Sequence, residues 1–240
     1  MTRTAAWVDK AYGVRIGRAH VRMRVQGRGA PLLLLNGATR PLESWDPLAQ
    51  ALPGRTLVSF DAPGTGLSPT PMWPMTMPAL ARLAASVLDE AELGRADVLG
   101  FSHGGAVAQQ LAAQDPGRVR KLVLVSTACG VGATPGTRDA VTALRNPPGA
   151  RWPRPDLVGA LWHSLAISSW SSIPFLGSIT APTLVVCGSR DRVVPAVNSR
   201  VLAHRVPGAE LVVLDAGHDL QRQRVADDLA SVVGEFLGRP

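Results

Sequence analysis

The sequence predicts an α/β fold, a mostly parallel sheet with helices on both faces. Two observations predict it. Short runs that are largely apolar recur along the chain: LLLLN (32–36), TLVSFD (56–61), ADVLGF (96–101), KLVLVST (121–127), TLVVCGS (183–189) and ELVVLD (210–215). Stretches with helical periodicity separate them. A strand that is apolar on both sides must be covered on both sides, and parallel strands need crossovers long enough to hold a helix.

The elements follow in order. GVRIG and AHVRMRV near the start alternate apolar and polar residues, which predicts an antiparallel edge ribbon with Arg22 and Arg24 on its wet side. SWDPLAQAL reads as a helix after the first apolar run, and APGTGLSP as a turn after the second. From 76 to 93, Leu80, Leu83, Ala84, Val87, Leu88 and Ala91 share one helical face, with Thr76 placed to cap and Pro78 in the first turn. A small-residue helix runs from Ser102 to about Asp115. Pro195 opens another, and Val225, Leu229, Val232, Val233 and Phe236 form a closing stripe. Residues 130–178 break the rhythm with a Gly/Pro-rich opening and short amphipathic pieces carrying Trp152, Trp162, Trp170 and Phe175. They predict a short helical cap inserted into a single domain spanning 1–240.

Composition limits the function classes. The 240 residues are 46% hydrophobic and 18% charged, enough apolar material for one large core or two small ones. Lys and Arg outnumber Asp and Glu by 25 to 18, and Arg3, Lys10, Arg15, Arg18, Arg22, Arg24 and Arg28 gather early against Asp9. No helix-turn-helix, zinc or RNA-binding signature accompanies that charge, so no nucleic-acid partner is expected. The N-terminus lacks a signal-peptide layout and no run reaches membrane-spanning length, so a cytoplasmic location is expected. Cys129 and Cys187 fit no metal or disulfide spacing and read as buried free thiols. No metal and no cofactor is expected.

The chemistry centres on GFSHGG (100–105), where a strand meets a helix through Ser102. A serine hydroxyl is too weakly acidic to attack an ester unaided, so an imidazole must take its proton and an acid must hold that ring. Ligands of parallel sheets bind at the carboxyl ends of strands. Asp191 lies just past TLVVCGS and His218 just past ELVVLD, giving the chain order Ser102, Asp191, His218. Asp215 and Asp219 flank His218 too closely in sequence to approach its ring from a separate strand end. The backbone N–H of His103 and that of Ala38, in the loop after LLLLN, are the expected oxyanion donors. His20, His163 and His204 read as structural.

These features together resemble the α/β-hydrolase superfamily over essentially the whole chain, with DAPGTGLS similar to its Asp-x-Pro-Gly-x-Gly-x-Ser turn. Asn36-Gly37 stands where most relatives carry His-Gly. With LLLLNGATRPLESW, AQQLAAQDPGRVRKLVLVSTACG, WSSIPFL and VVCGSRDRVVPAVNSRVLAHRVPGAELVVLDAGH, it resembles the intracellular poly(3-hydroxyalkanoate) depolymerases. Two departures stand out: His103 follows the nucleophile where that family usually has Trp, and the cap is short between Arg151 and Leu161. The resemblance implies a serine ester hydrolase acting on hydroxyalkanoate-type or other acyl esters, monomeric or oligomeric. The short cap favours soluble medium-chain esters over polymer. Asn36, Trp73, Trp162, Leu165, Trp170 and Phe175 are the expected substrate contacts. Alternatives are a carboxylesterase, thioesterase, lactonase or perhydrolase on the same triad; the intact triad argues against a non-catalytic ligand sensor. The sequence carries no reading of oligomeric state.

Overall fold

The computed structural model describes residues 11–137, 146 and 149–240. Arg3, Asp9 and Lys10 of the early charge cluster, and part of the Gly/Pro-rich opening of the cap, lie outside them. The strands are β1 (Tyr12–Ile16), β2 (Ala19–Gly27), β3 (Ala30–Leu35), β4 (Arg55–Phe60), β5 (Ala96–Phe101), β6 (Val119–Val125), β7 (Thr183–Gly188) and β8 (Glu210–Leu214). They form one sheet in the order β1-β2-β4-β3-β5-β6-β7-β8. The first two pairings are antiparallel and the other five parallel. The edge ribbon and the apolar strands are therefore where the sequence expected them. The helices are α1 (Asp46–Ala51), α2 (Met77–Glu90), α3 (His103–Gln114), α4 (Leu157–Ser168), α5 (Ala196–Arg205) and α6 (Gln223–Gly238).

The apolar strands are read from both sides. Along β3, Leu33 and Leu35 pack with residues of α2, α3 and α5, while Leu32 and Leu34 pack with residues of α1 and α6. All four leucines are buried, each contributing about 1.5–3 kcal/mol. The helix ends are set locally: the Thr76 hydroxyl accepts from the Ala79 amide at the start of α2, and the Asp156 carboxylate accepts from the Val158 and Gly159 amides at the start of α4.

Asp97 is a charge within the sheet that the sequence reading did not address, and Arg22 and Arg24 differ from that reading. Asp97 lies within β5 and is fully buried; its carboxylate accepts from Arg55 at 2.6 Å and from Arg120 Nε at 2.8 Å, which offsets its desolvation. Arg22 and Arg24 are not on a solvated face. Arg22 pairs with Glu43, in the turn before α1, and with Asp61, just past β4, and Arg24 pairs with Asp46, the first residue of α1, at 2.6 Å. Both cysteines are free and buried, as expected.

The excursion between β6 and β7 holds α4 and rejoins the core through Trp170. Its indole Nε1 donates to Gln110 Oε1 at 2.7 Å, and its ring lies 6.0 Å from that of Phe175, with which it packs in the core on the α2–α3 side. Trp73, by contrast, is 74% exposed. Trp170→Ala should therefore lower stability by about 3–5 kcal/mol in denaturant unfolding, whereas Trp73→Ala should stay within about 0.5 kcal/mol of the parent protein.

Candidate active site

Ser102 stands between β5 and α3 with φ 52° and ψ −118°. A residue with a side chain holds such a backbone at a cost of about 1–3 kcal/mol, so its surroundings must enforce it. The Ser102 amide donates to Val125 O at 2.9 Å. Its carbonyl accepts from the Gly105 amide at 2.9 Å and from Thr127 Oγ1 at 2.7 Å. The flanking glycines are required by close approach: a Cβ on Gly100 would strike Gly104 and Gly105, and one on Gly104 would strike the Leu35 carbonyl. The helix can thus start directly against the strand ends, with Ser102 at the turn.

Asp191 follows β7. Its Oδ1 accepts from the Val193 and Val194 amides at 2.9 and 2.8 Å, and Oδ2 lies 2.8 Å from His218 Nδ1. The carboxylate is buried, and those two amides supply the hydrogen bonds that a buried anion needs. His218 follows β8, its ring centroid 5.0 Å from that of Phe101 and its Nε2 3.2 Å from Ser102 Oγ. A carboxylate only accepts, so Nδ1 carries the proton toward Asp191 and Nε2 is left to accept from the serine hydroxyl. The two flanking carboxylates are engaged elsewhere: Asp215 with Arg190 on the exposed surface, Asp219 with Arg40 at 2.8 Å and Arg222 at 2.9 Å.

The loop after β3 lies over the serine, close enough that a Cβ on Gly37 would come within 3.3 Å of Ser102 Cβ. Asn36 holds this loop. Its Nδ2 donates to Pro41 O at 2.9 Å and Ser44 Oγ at 2.7 Å; its Oδ1 accepts from the Gly37 amide at 3.0 Å and Gln221 Nε2 at 3.2 Å. With both donors and both lone pairs used, Asn36, expected from the sequence as a substrate contact, braces this loop. Among hydrogen bonds between described residues, neither the Ala38 nor the His103 amide is a donor.

The aromatic residues expected around a cleft are dispersed. Trp170 and Phe175 are spent on the core, Trp73 points to solvent, and Leu165 is exposed on α4. Trp162 donates from Nε1 to Pro71 O at 3.0 Å and so fastens α4 to the 61–71 turn. Thr70 and Asp156 add a second tie. Gly159 packs against the Gly64 backbone so closely that a side chain on either would collide.

The sequence reading missed three contributors. Thr127 holds the Ser102 carbonyl, Gln221 joins Asn36 to the histidine loop, and Arg40 does the same through Asp219. A signal existed for Arg40: a guanidinium in the small-residue segment NGATRP, matched by an acid directly after His218. The His103 side chain has a place of its own. Its ring does not present an apolar surface to the serine's surroundings but is buried in a stack on His163 of α4, centroids 4.7 Å apart and planes 10° apart. His163 Nε2 lies 3.0 Å from Pro63 O, an acceptor, so that nitrogen carries the proton. His163 Nδ1 and His103 Nε2 are buried without a partner among the described residues. Burial pulls both imidazoles below the ordinary histidine range, His103 strongly and further through its neighbour. Among the described residues, no group of three or more metal-ligating side chains exists.

A parallel sheet carrying a serine, an aspartate and a histidine on three strand ends is the arrangement of the hydrolytic α/β class. Comparison with known proteins agrees. The sequence profile of the alpha/beta hydrolase fold family matches residues 30–154 and 144–224. The chain is 34% identical to a poly(3-hydroxyalkanoate) depolymerase of Ectopseudomonas oleovorans over 93% of its own length and 87% of that relative's. A solved hydrolase from Pseudomonas aeruginosa PA01 superposes with a TM-score of 0.83 at 26% identity, covering 95% of this chain and 98% of that one. An enol-lactonase from Burkholderia xenovorans LB400 superposes with a TM-score of 0.83 at 23% identity, covering 95% and 100%. The chain belongs to the alpha/beta hydrolase fold family.

The stacked histidines set a pH dependence of stability. Both are held below their ordinary value in the folded state, so the unfolded chain binds more protons near and below pH ~6.5. Their contribution is complete above that value and is lost as the pH falls toward the depressed native values. Unfolding midpoints should drop from pH 7 to pH 5, and a His103→Phe/His163→Phe variant should lose much less over the same range.

Proposed function

We propose that this chain is a serine ester hydrolase that forms an acyl-enzyme on Ser102, with hydroxyalkanoate-type esters as its substrate class. The observation that carries this reading is the unbroken line from Ser102 Oγ through His218 to Asp191, at 3.2 and 2.8 Å. As Oγ attacks the ester carbonyl carbon, His218 Nε2 takes its proton and the carbonyl electron pair moves onto oxygen. The Ala38 and His103 amides receive that charge. The C–O bond of the leaving group then breaks, and the alcohol departs with the proton from Nε2. Water repeats the sequence on the acyl-enzyme and releases the carboxylic acid. Asp191 keeps the proton on Nδ1 throughout and stabilises the imidazolium.

Two features support an apolar acyl group. The relative from Ectopseudomonas oleovorans is named for a polyester. The exposed side of α4 and the neighbouring loop carry Leu157, Leu161, Leu165, Met72 and Trp73, a surface that favours aliphatic chains over charged ones.

Initial rates on 3-hydroxyacyl and simple acyl esters, run beside an amorphous polyhydroxyalkanoate suspension, test the reading. Ser102→Ala should cost on the order of a million-fold in turnover and Asp191→Asn about ten-thousandfold, while Asp215→Asn should change little. Retention of about a tenth of the activity by Ser102→Ala would contradict the proposal. Soluble medium-chain esters should be cleaved faster than polymer of matched acyl composition.

A further inference from the structure

Within the early basic cluster, Arg22 and Arg24 face acids and Arg15 Nε donates to the Gly17 carbonyl at 3.2 Å. Arg18, in the turn between β1 and β2, makes no ion pair or side-chain hydrogen bond among the described residues, and neither does Arg82 on α2. Both line one groove of about 680 Å³, walled by the β1–β2 turn, α2 and the 61–71 turn. That volume is within the range of small-molecule sites. Ile16, Ala19, Pro63, Met75 and Leu83 make much of its wall apolar. Ala79, Arg82, Leu83 and Ser86 follow the spacing of one helical face, so the groove runs about 10 Å along α2. The polar side chains that line it are those of Arg18, His20, Thr70, Arg82 and Ser86, and among the described residues no carboxylate does.

An aliphatic chain gains from the apolar wall, and an anion at its end gains from two guanidiniums that no acid opposes. A cation is repelled. The 10 Å stretch of helix face suits a medium-chain acyl group. We infer that this groove is a binding site for a medium-chain aliphatic carboxylate, separate from the triad, since Ser102, Asp191 and His218 do not line it. Such acids are also what the reaction proposed above would release, although the chemistry of the groove is independent of that reaction. Occupancy reaches the cap through the 61–71 turn. Pro63 O accepts from His163 Nε2 at 3.0 Å, Thr70 pairs with Asp156, and Pro71 O accepts from Trp162 Nε1 at 3.0 Å. Three residues that wall the groove therefore also hold α4, and a ligand packed against them restrains both.

Titration calorimetry of the full chain with octanoate should show one saturable site, each methylene added from butyrate to octanoate tightening it about threefold. Octan-1-ol and acetate should each bind about tenfold more weakly than octanoate, or worse. Arg18→Gln/Arg82→Gln should weaken octanoate about tenfold and leave octan-1-ol unchanged. Both arginines are exposed, so this variant keeps the fold. Ala79→Phe, which narrows the groove, should weaken both ligands; should it fail to fold, the arginine variant still decides. A diazirine-bearing octanoate should label residues 16–20 or 75–86, and hydrogen exchange across α4 should slow when octanoate is bound. Octanoate affinity unchanged in the arginine variant, octan-1-ol binding as tightly as octanoate, or labelling confined to other peptides overturns the inference. Arginine-dependent binding to phosphatidylglycerol vesicles without an octanoate site overturns it too, in favour of a membrane contact. Exchange across α4 that bound octanoate leaves unchanged overturns the link to the cap. Ester turnover enters none of these readouts, so a protein that binds octanoate here and hydrolyses no ester would count against Ser102 chemistry and not against the groove.

Discussion

A serine with φ 52° is the conformation around which the rest of this chain is arranged. The turn lifts Ser102 Oγ off the end of a central strand, and such a backbone unwinds unless neighbours hold it from every side. Val125 and Thr127 at the end of β6 hold the serine's own peptide groups. Leu35 at the end of β3 and Thr127 leave room only for glycine at positions 104 and 105. The flanking strands must therefore be parallel to β5 and in close register with it, which is the pairing observed. Their leucines and valines, buried on both faces, supply the stability that offsets the strain.

With the serine fixed, the remaining chemistry reduces to how buried charge is distributed. Asp97, Asp61 and Asp191 are all removed from solvent, and each has a different set of partners. Asp97 answers two arginines. Asp61 accepts from the Leu42 and Leu67 amides and from Arg22, although burial still raises it above the ordinary carboxylate range. Asp191 has two backbone amides and an imidazole, but no arginine among its described partners. A carboxylate without a permanent cation gains most from a neighbour that becomes charged, and on the proposed mechanism His218 is that neighbour.

The strands, and the places of Ser102, Asp191 and His218 at strand ends, were legible in the sequence because each has a one-dimensional signature. LLLLN and TLVVCGS are apolar throughout, and Asp191 and His218 fall directly after such runs. The sequence misleads where a residue's identity leaves its direction open. Trp170 and Trp73 read alike as cleft aromatics, yet one is locked in the core by Gln110 and the other faces solvent. Arg22 and Arg24 alternate with apolar residues as solvated side chains do, and their partners Glu43, Asp61 and Asp46 come from segments with no periodic relation to β2. The Asn36 brace and the stack of His103 on His163 are likewise contacts between distant segments. Side-chain networks of this kind leave no spacing pattern to read.

Covalent chemistry at one oxygen atom is the centre of this account, and it can be observed without reference to rate. Protein quenched in acid during turnover of a soluble 3-hydroxyacyl ester, then digested and analysed by mass spectrometry, should carry the acyl mass on the peptide containing Ser102. The adduct should disappear when the ester is exhausted. Turnover with no adduct on that peptide, under conditions where hydrolysis of the acyl-enzyme is made rate-limiting, or an adduct on a different residue, would contradict the account.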